Sequence, residues 1–467
     1  MYSYNSFLRT NYYNTVQAEN DDLSATNVAP ENSIKDNKNN NPKLNLSKSK
    51  INYVPYNPTF TASALRTRLN SKEEEKKYNA VVANTDKQTR KKLEALLKSG
   101  ILLNSESTDN STVLDNLYKI VSTQRAVGLD AKSLLKDVIT TLNNPYVVTQ
   151  QFGDIPKNKQ QSVLNIHSNS ASGSNDINVL HSGTCVAASI EFTLAQEMPA
   201  EFARIAEGLT SPKISADKKI HLNMLADNTL DAIWLLNAFE IPYNTDNFDT
   251  ATLKLKPDDY AIVRAQIQTT DRDPGERSPI DVLMQSTFMQ IGSQQSYDTL
   301  TDKRAGKFNQ NDKGLIEFEK TFVESIVEDK NKISVLYQTV DENSRLIGYE
   351  TDMETLKKHL TQSIDSGNNV ILGYTQTDNN NVIINGHEIT VIGYKQNPKT
   401  HKLVFICNDT DDGVSRPIEY SEDFLLPKVH HAALPKAIVE KDIQLYESWV
   451  EGLEMFQEMR KKQNMAA

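Results

Sequence analysis

The sequence predicts an α+β protein in which helices come first and a strand-rich part comes late. Residues 86–142 repeat apolar side chains at helical spacing. Residues 181–197 pass from a polar loop into an uninterrupted helix. Residues 385–409 predict two strands joined by a turn, because β-branched and apolar residues alternate around Asn397-Pro398. These three patterns together favour segregated helices and an antiparallel hairpin.

The N-terminal residues 1–70 are predicted to form a disordered, asparagine-rich tail. The stretch from Asn37 to Lys50 has no apolar periodicity and cannot bury enough surface to order itself. Tyr53, Tyr56 and Phe60 are favoured as scattered aromatic residues in this tail. The alternative is a short strip that docks on a partner protein.

A helical module is predicted over residues 71–145. Its apolar residues fall on three successive helical faces, and Asn143-Asn144-Pro145 ends the last helix. These faces comprise Leu93, Leu96, Leu97 and Ile101; Val113, Leu117, Ile120 and Val121; and Leu134, Leu135, Val138, Ile139 and Leu142.

Cys185 is placed where a loop becomes a helix. Polar residues and Gly183 precede it, and Val186, Ile190 and Leu194 recur at four-residue spacing on one helical face. A thiol at a helix start lies in the positive end of the helix dipole, beside unpaired backbone N–H groups. Both features favour the nucleophilic thiolate, although a lone cysteine is more often a buried space-filling residue.

Further helices are predicted between this segment and the hairpin. Ser278-Pro279 is a typical helix start, and the charged loop before it, 271–277, is expected at the rim of a cleft. Thr351 and Glu354 predict a capping box for a helix that ends at Gly367. A strand over 370–374 follows.

The hairpin brings a histidine close to an amide and a carboxylate. His387 is predicted to open the first strand, and Asn408 and Asp409 end the second, over 402–407. These ends are neighbours in an antiparallel pair. An oxygen there can bind one imidazole nitrogen and leave the other facing a thiolate, which is the nucleophile–base–orienter arrangement.

Three segments resemble the papain-like cysteine peptidases, in particular bacterial members such as the bacteriocin-processing peptidases. They are Gly183-Thr184-Cys185 with its helix, Gly386-His387 through Gly393-Tyr394, and Cys407-Asn408-Asp409. That family carries its cysteine on the first helix, its histidine on a strand, and asparagine or aspartate after the next strand. The resemblance implies the papain-like fold, in which the cysteine helix packs on an antiparallel sheet.

The resemblance also divides the chain. It implies a peptidase-like domain over residues 146–434, with a helical insertion between Cys185 and His387. Residues 71–145 are then either an inhibitory prosegment, which papain-like enzymes often carry, or a docking domain for targeting and assembly. Residues 435–467 are expected to form an amphipathic helix that packs on the chain itself or contacts a partner protein.

The implied activity is hydrolysis of peptide bonds in peptide or protein substrates, without a cofactor. Cys185 would attack the carbonyl carbon, His387 would serve as base and then acid, and Asp409 or Asn408 would orient the imidazole. The backbone N–H of Cys185 would be one oxyanion donor. Papain-like enzymes add an amide side chain shortly upstream, usually a glutamine six positions before the cysteine. Val179 stands there, and its neighbour Asn178 is the candidate. Gln150, Gln151, Gln160 and Gln161 lie further upstream.

Two other functions are compatible with these residues. Transamidation and glutamine deamidation use the same constellation. A papain-like scaffold without activity, used for binding or assembly, is the non-enzymatic alternative. A helix-start cysteine, a strand-start histidine and a strand-end carboxylate together argue against it.

Charge and composition limit which classes of partner and which location are expected. The net charge of −10 argues against general binding to nucleic acids or to anionic membranes. No apolar run is long enough for a transmembrane helix, and no signal peptide is recognisable, so a cytoplasmic location is expected, with leaderless export left open.

No metal site is expected from the sequence. His430 and His431 have no cysteine or carboxylate at ligand spacing, which argues against zinc. The run from Asn408 to Glu419 only partly matches a calcium loop. Cys407, inside a predicted strand, is expected to be a buried structural thiol.

Overall fold

Helices dominate the first part of the described chain, and the largest β-sheet is built from its last part. The computed structural model describes residues 66–153, 155, 158–160, 162–163, 183–304, 314–315, 317–341, 343–411 and 413–439. Every strand pairing in these ranges is antiparallel, so the α+β class is confirmed.

The α-helices and strands are numbered in chain order. The helices are α1 Lys72–Ala83, α2 Lys87–Ser99, α3 Val113–Ser122, α4 Ala131–Asn143, α5 Cys185–Glu197, α6 Pro199–Thr210, α7 Thr229–Ala238, α8 Ala261–Thr270, α9 Pro279–Gly292, α10 Glu317–Glu328, α11 Met353–Asp365, α12 Glu422–Leu425 and α13 Lys436–Val439. The strands are β1 Ala216–His221, β2 Tyr243–Thr245, β3 Thr250–Leu255, β4 Tyr297–Asp298, β5 Lys303–Arg304, β6 Lys332–Leu336, β7 Gln338–Val340, β8 Leu346–Tyr349, β9 Val370–Thr377, β10 Ile383–Gln396, β11 Leu403–Asn408, β12 Ile418–Ser421 and β13 Val429–Pro435.

The predicted helices of the N-terminal module are confirmed as α2, α3 and α4, with α1 before them. Each begins at a side chain that accepts a backbone N–H of the first turn, which satisfies donors that a helix start leaves open. These capping residues are Ser71, Asp86, Thr112 and Asp130. The predicted tail, residues 1–70, lies outside the described residues up to position 65.

The module shares its core with the helices that follow. Leu93 of α2, Leu117 of α3 and Leu135 of α4 are fully buried in one apolar cluster that also contains Ile190 of α5 and Phe322 of α10. The continuous cluster makes these helices one packed body.

A buried ionic contact also ties the loop of the module to α6. The carboxylate of Glu201 accepts hydrogen bonds from the backbone N–H and hydroxyl of Thr108, at 2.9 and 2.7 Å. Arg204 and Lys218 contact the same carboxylate, at 2.7 and 3.1 Å. Glu201 is fully buried, and both cations compensate its charge.

The largest sheet has six strands in the order β12-β11-β10-β9-β13-β6. One face carries Leu372, Ile389 and Phe405, which pack with Leu356 and Leu360 of α11 in a second apolar cluster. The predicted strand over 370–374 is therefore confirmed, and it continues to Thr377. The strand of His387 begins earlier than predicted, at Ile383.

Helix α11 differs from the prediction at its start. Asp352 caps this helix by accepting the backbone N–H of Thr355, so the predicted capping box of Thr351 and Glu354 is wrong. Asp352 follows Thr351 directly and takes the capping position, because its carboxylate accepts a backbone N–H that the first turn of the helix leaves open.

Helix α5 connects the helical part to the sheet. Ala188 and Phe192 of α5 contact Ile392 of β10 and Ile406 of β11 in a small apolar cluster. Val186, Ile190 and Leu194 face the helical core instead, as their spacing predicts. The helix that begins with Cys185 is thus held on two sides.

The structure describes only the start of the predicted C-terminal helix. Residues 436–439 form the short helix α13, and residues 440–467 of the predicted amphipathic helix lie outside the described residues. Within the described ranges, no helix combines the length and apolar character that crossing a bilayer requires.

Candidate active site

Cys185 is the first residue of α5, as the sequence predicts, and its side chain is half-buried. The hydroxyl of Thr184 does not cap the helix; it donates to Gln285 Oε1 at 2.9 Å and accepts from Arg277 Nη2 at 2.8 Å. Both partners are buried, so they fix the loop immediately before the cysteine. The backbone N–H groups of the first turn lie beside the thiol.

His387 lies on β10, opposite Tyr374 of β9. Its Nε2 atom is 2.7 Å from Oδ1 of Asp409, the first residue after β11. The side chains of His387 and Asp409 are only 12% and 9% exposed, so water competes weakly for this contact. The Tyr374 ring meets the imidazole edge-on, with centroids 5.7 Å apart.

Cys185 lies near enough to the same imidazole to affect its pKa. Burial alone would lower the pKa of His387, but the Asp409 carboxylate and hydrogen bonds with Asp409 and Cys185 raise it well above its usual range. The imidazolium is therefore the favoured form at neutral pH. Because Nε2 is engaged by Asp409, Nδ1 is the nitrogen left for the cysteine.

Asp409 is held as a carboxylate. Its Oδ1 accepts the backbone N–H of Asp411 at 3.0 Å, and Oδ2 accepts the Tyr420 hydroxyl at 3.5 Å. Burial opposes ionisation, but His387 and these donors lower the pKa of Asp409 below its ordinary value. Asp409 is thus suited to orient the imidazole and to stabilise its charge.

Asn408, the alternative orienting residue, points elsewhere. It is paired with Thr390 inside the sheet and is 1% exposed. Its Nδ2 atom has no hydrogen-bond partner among the described residues. Adjacent residues on a strand point to opposite faces, and Asp409 is the one that reaches His387.

The candidate second oxyanion donor, Asn178, lies outside the described residues. The structure brings Gln150 to this region instead. Its backbone N–H donates to the Thr410 carbonyl at 3.2 Å, and its Oε1 accepts the Thr410 hydroxyl at 3.0 Å. Arg277 Nε donates to the Gln150 carbonyl at 3.0 Å.

These contacts place Gln150 between the two halves of the site. Thr410 follows Asp409 directly, and Arg277 binds both Gln150 and Thr184, which precedes Cys185. The side-chain oxygen of Gln150 accepts from Thr410, so the side chain is tied to the loop that follows Asp409. The sequence alone does not single out this residue among the upstream glutamines, because the loops that meet here are distant in the chain.

A buried polar network lies behind the cysteine loop. Gln285, which accepts from Thr184, donates to Glu191 Oε2 at 2.9 Å. Burial and the Asp281 carboxyl raise the pKa of Glu191 well above its usual value, and burial raises that of Asp281 to about 6. Glu191 is therefore favoured as the neutral carboxyl group at neutral pH.

The loop over 271–277 matches its prediction only in part. Asp273, Gly275 and Glu276 line a cleft of about 240 Å³ against α4. Arg277 was expected at this rim but is fully buried, and its guanidinium lies 3.9 Å from the centre of the Phe152 ring. Its hydrogen bonds to Gln150 and Thr184 explain why a charged residue is retained inside.

The two remaining sequence predictions concern Cys407 and the paired histidines. Cys407 is fully buried, as predicted, and burial raises the pKa of its thiol well above the usual value. For His430 and His431, a carboxylate partner does exist: Glu317 Oε1 lies 3.5 Å from His430 Nδ1. Sequence spacing hides it, because Glu317 belongs to a distant helix.

Comparisons with known proteins add no relative from which a role could be transferred. The site must therefore be interpreted from its own geometry, which joins a helix-start thiol, a buried imidazole and a carboxylate. No family model, no curated protein and no solved structure matches this chain.

Proposed function

We propose that this chain is a papain-like cysteine peptidase that hydrolyses peptide bonds through Cys185, His387 and Asp409. One observation carries the proposal: the largely buried imidazole of His387 contacts Asp409 at 2.7 Å, and Cys185 lies near enough to the same imidazole to raise its pKa. A base oriented by a carboxylate and directed at a helix-start thiol is the arrangement that thiol catalysis requires.

The first half of the reaction forms a thioester. The Cys185 thiolate attacks the carbonyl carbon of the scissile peptide, and the electron pair of the C=O bond moves to oxygen. The His387 imidazolium then gives its Nδ1 proton to the leaving nitrogen, and the C–N bond breaks. The raised pKa of His387 keeps this proton available in the resting enzyme.

The second half releases the product. His387, now neutral, removes a proton from a water molecule, which attacks the thioester carbon. The C–S bond breaks, and the carboxylic acid product leaves. The thiolate and imidazolium are restored, and Asp409 holds the ring in one orientation throughout.

The oxyanion of both tetrahedral intermediates requires donors near Cys185. The backbone N–H of Cys185 at the start of α5 is one of them. The side chain of Gln150 is proposed as the second, because contacts with Thr410 and Arg277 place this residue between the loop of Asp409 and the loop of Cys185. Asn178 stays a competing candidate for the same role.

Peptides or proteins are the proposed substrates, and the cytoplasm is the proposed location. Both cysteines are free, and a reducing compartment keeps the half-buried thiol of Cys185 in its reactive state. The proposed reaction uses no cofactor.

The proposal is tested by measuring peptide hydrolysis with a fluorogenic peptide library and mass spectrometry of the products. The wild-type chain is compared with Cys185→Ala and with Cys407→Ala as the matched control. We expect Cys185→Ala to abolish cleavage and Cys407→Ala to retain it. Equal activity in wild type and Cys185→Ala would reject Cys185 as the nucleophile.

The same assay separates the alternatives. A transamidase would join an added primary amine to the acyl group, and a deamidase would convert glutamine to glutamate without cutting the chain. A binding scaffold would give none of these products, although the site of Cys185 would still be folded.

A further inference from the structure

Two consecutive histidines of β13 have their imidazole rings side by side. Consecutive residues of a regular strand point to opposite faces of the sheet. Here the register between β13 and β9 shifts between Val429 and His431, and a bulge of this kind re-aims side chains. As a result, His430 Nδ1 lies 3.1 Å from His431 Nδ1.

A carboxylate from another element joins this pair. Glu317, the first residue of α10, places Oε1 3.5 Å from His430 Nδ1. Ligand atoms of Glu317, His430 and His431 all lie within 4.8 Å of one another. The three residues are buried, with exposures of 8%, 0% and 1%. Two imidazoles and one carboxylate thus converge inside the protein.

Two of the three separations between these atoms are close to those around a tetrahedral metal ion. Zinc binds histidine nitrogen at about 2.0–2.1 Å, and a tetrahedron with such bonds has edges of about 3.3 Å. The two separations, 3.1 and 3.5 Å, are slightly shorter and slightly longer than this edge length.

A second carboxylate orients His431 from its other nitrogen. Glu388 Oε1 lies 3.0 Å from His431 Nε2, and Lys320 Nζ lies 3.2 Å from Glu388 Oε2. Lys320 also donates to the Ile371 carbonyl at 3.1 Å, which fixes its position. A histidine that binds metal through one nitrogen is commonly held by a carboxylate at the other.

The space at the cluster also agrees with this arrangement. A Cβ at Gly373 would meet His431 Cε1 at 2.3 Å and Glu388 Oε1 at 2.6 Å, so glycine makes room for the cluster.

We propose that Glu317, His430 and His431 bind one divalent transition-metal ion of the zinc class, with Glu388 as the outer partner of His431. The ion would join the start of α10 to the central sheet. Glu388 neighbours His387 in β10, so the site would stabilise the strand that carries the imidazole. This role is structural and goes beyond the proposed peptidase reaction.

The test measures metal bound to the untagged full-length chain. The Cys185→Ser background is used, because thiolate and imidazole at the candidate active site also bind zinc. The protein is saturated with Zn²⁺, dialysed and subjected to elemental analysis, and Co²⁺ replaces Zn²⁺ for visible spectroscopy. We expect about one equivalent of zinc per chain and the intense visible absorption of four-coordinate cobalt.

Variants assign the metal to this cluster. Glu317→Gln and His430→Gln should each weaken zinc binding by at least about tenfold and remove the rise in melting temperature that zinc causes. His359→Gln is the matched control, because His359 is equally buried but contacts the Tyr337 hydroxyl at 2.9 Å. His221→Gln removes the exposed pair with Asp329, the surface site at which zinc would bind adventitiously.

Two results would overturn the proposal. The first is that neither the wild-type chain nor the Cys185→Ser chain retains zinc after dialysis. This result does not require any cluster variant to fold. The other is zinc binding that survives Glu317→Gln and His430→Gln but is lost in His221→Gln. If Glu317→Gln or His430→Gln fails to fold, the melting temperature of the zinc-loaded Cys185→Ser chain is measured with and without a chelator. The proposal requires the chelator to lower this temperature, and an unchanged temperature would reject it.

Discussion

The Nε2 atom of His387 lies 2.7 Å from Oδ1 of Asp409, and this contact fixes which ring nitrogen can serve Cys185. The contact is largely shielded from solvent, and the carboxylate raises the pKa of the imidazole. His387 on β10 and Asp409 at the end of β11 therefore set both the orientation and the protonation state of the proposed base.

The first prediction concerns thiol reactivity. Because the raised pKa of His387 keeps an imidazolium beside Cys185, iodoacetamide should alkylate Cys185 at pH 6. Cys407 should stay unmodified, since it is fully buried. His387→Ala should slow alkylation of Cys185 by about tenfold or more. Mass spectrometry of the labelled peptides measures both rates.

An alkylation rate of Cys185 equal to that of a free thiol would reject the nucleophile assignment. The control is the rate in urea, where both cysteines should react alike.

The second prediction separates Asp409 from Asn408. Asp409→Ala removes the partner of His387 Nε2 and should lower turnover by about a hundredfold or more, with the fold intact. Asn408→Ala should change turnover little, because Asn408 is buried inside the sheet away from the imidazole. Steady-state kinetics and thermal melting of both variants provide the measurement. The opposite ranking of the two variants would contradict the observed geometry.

The third prediction tests Gln150 as an oxyanion donor. Gln150→Ala should lower kcat by about 10²- to 10³-fold and change KM much less, because the donor acts on charge that develops in the transition state. Gln151→Ala is the matched control, since Gln151 is half-buried and contacts Asp411. Similar kcat values for the two variants would return the role to Asn178 or to another donor.

The fourth prediction is a pH dependence of stability. Burial alone would raise the pKa of Glu201, but Arg204 and Lys218 lower it from 4.5 to about 2. The stabilisation of the folded state by the ionised Glu201 is therefore fully present above pH 4.5 and is lost as the pH falls through about 2. By linkage it amounts to about 3 kcal/mol of unfolding free energy.

Glu201→Gln should remove that part of the acid dependence, measured by urea unfolding between pH 5 and pH 2. Glu207→Gln on the same helix is the control, because Glu207 is only half-buried beside Arg125. Identical pH profiles for wild type and Glu201→Gln would show that Glu201 does not titrate as expected.

The fifth prediction concerns removal of the helical module. A chain starting at Tyr146 would expose the surface of α5 and α6 that packs against α2–α4 in one cluster. We expect such a chain to lose cooperative thermal unfolding, which favours a core or docking role over a removable prosegment. A folded truncation in which Cys185 reacts much faster with a peptide-sized probe, but not with a small reagent, would instead establish the inhibitory role.

The sequence by itself determined the local structure around the site. A proline-free run after Cys185 predicts α5, and alternation around His387 and before Asp409 predicts the hairpin, because both periodicities depend only on nearby residues. The capping residue of α11 was missed by one position, since Thr351 and Asp352 both suit that role.

Only the tertiary structure decided which distant groups meet. Gln150 is linked to the loops of Asp409 and Cys185 through Thr410 and Arg277, and Glu317 comes near His430 through the packing of α10 on the sheet. Arg277 looked like a surface charge because its acceptors belong to other loops. Such contacts depend on how elements pack and where a strand bulges, and no short-range pattern of residues records either.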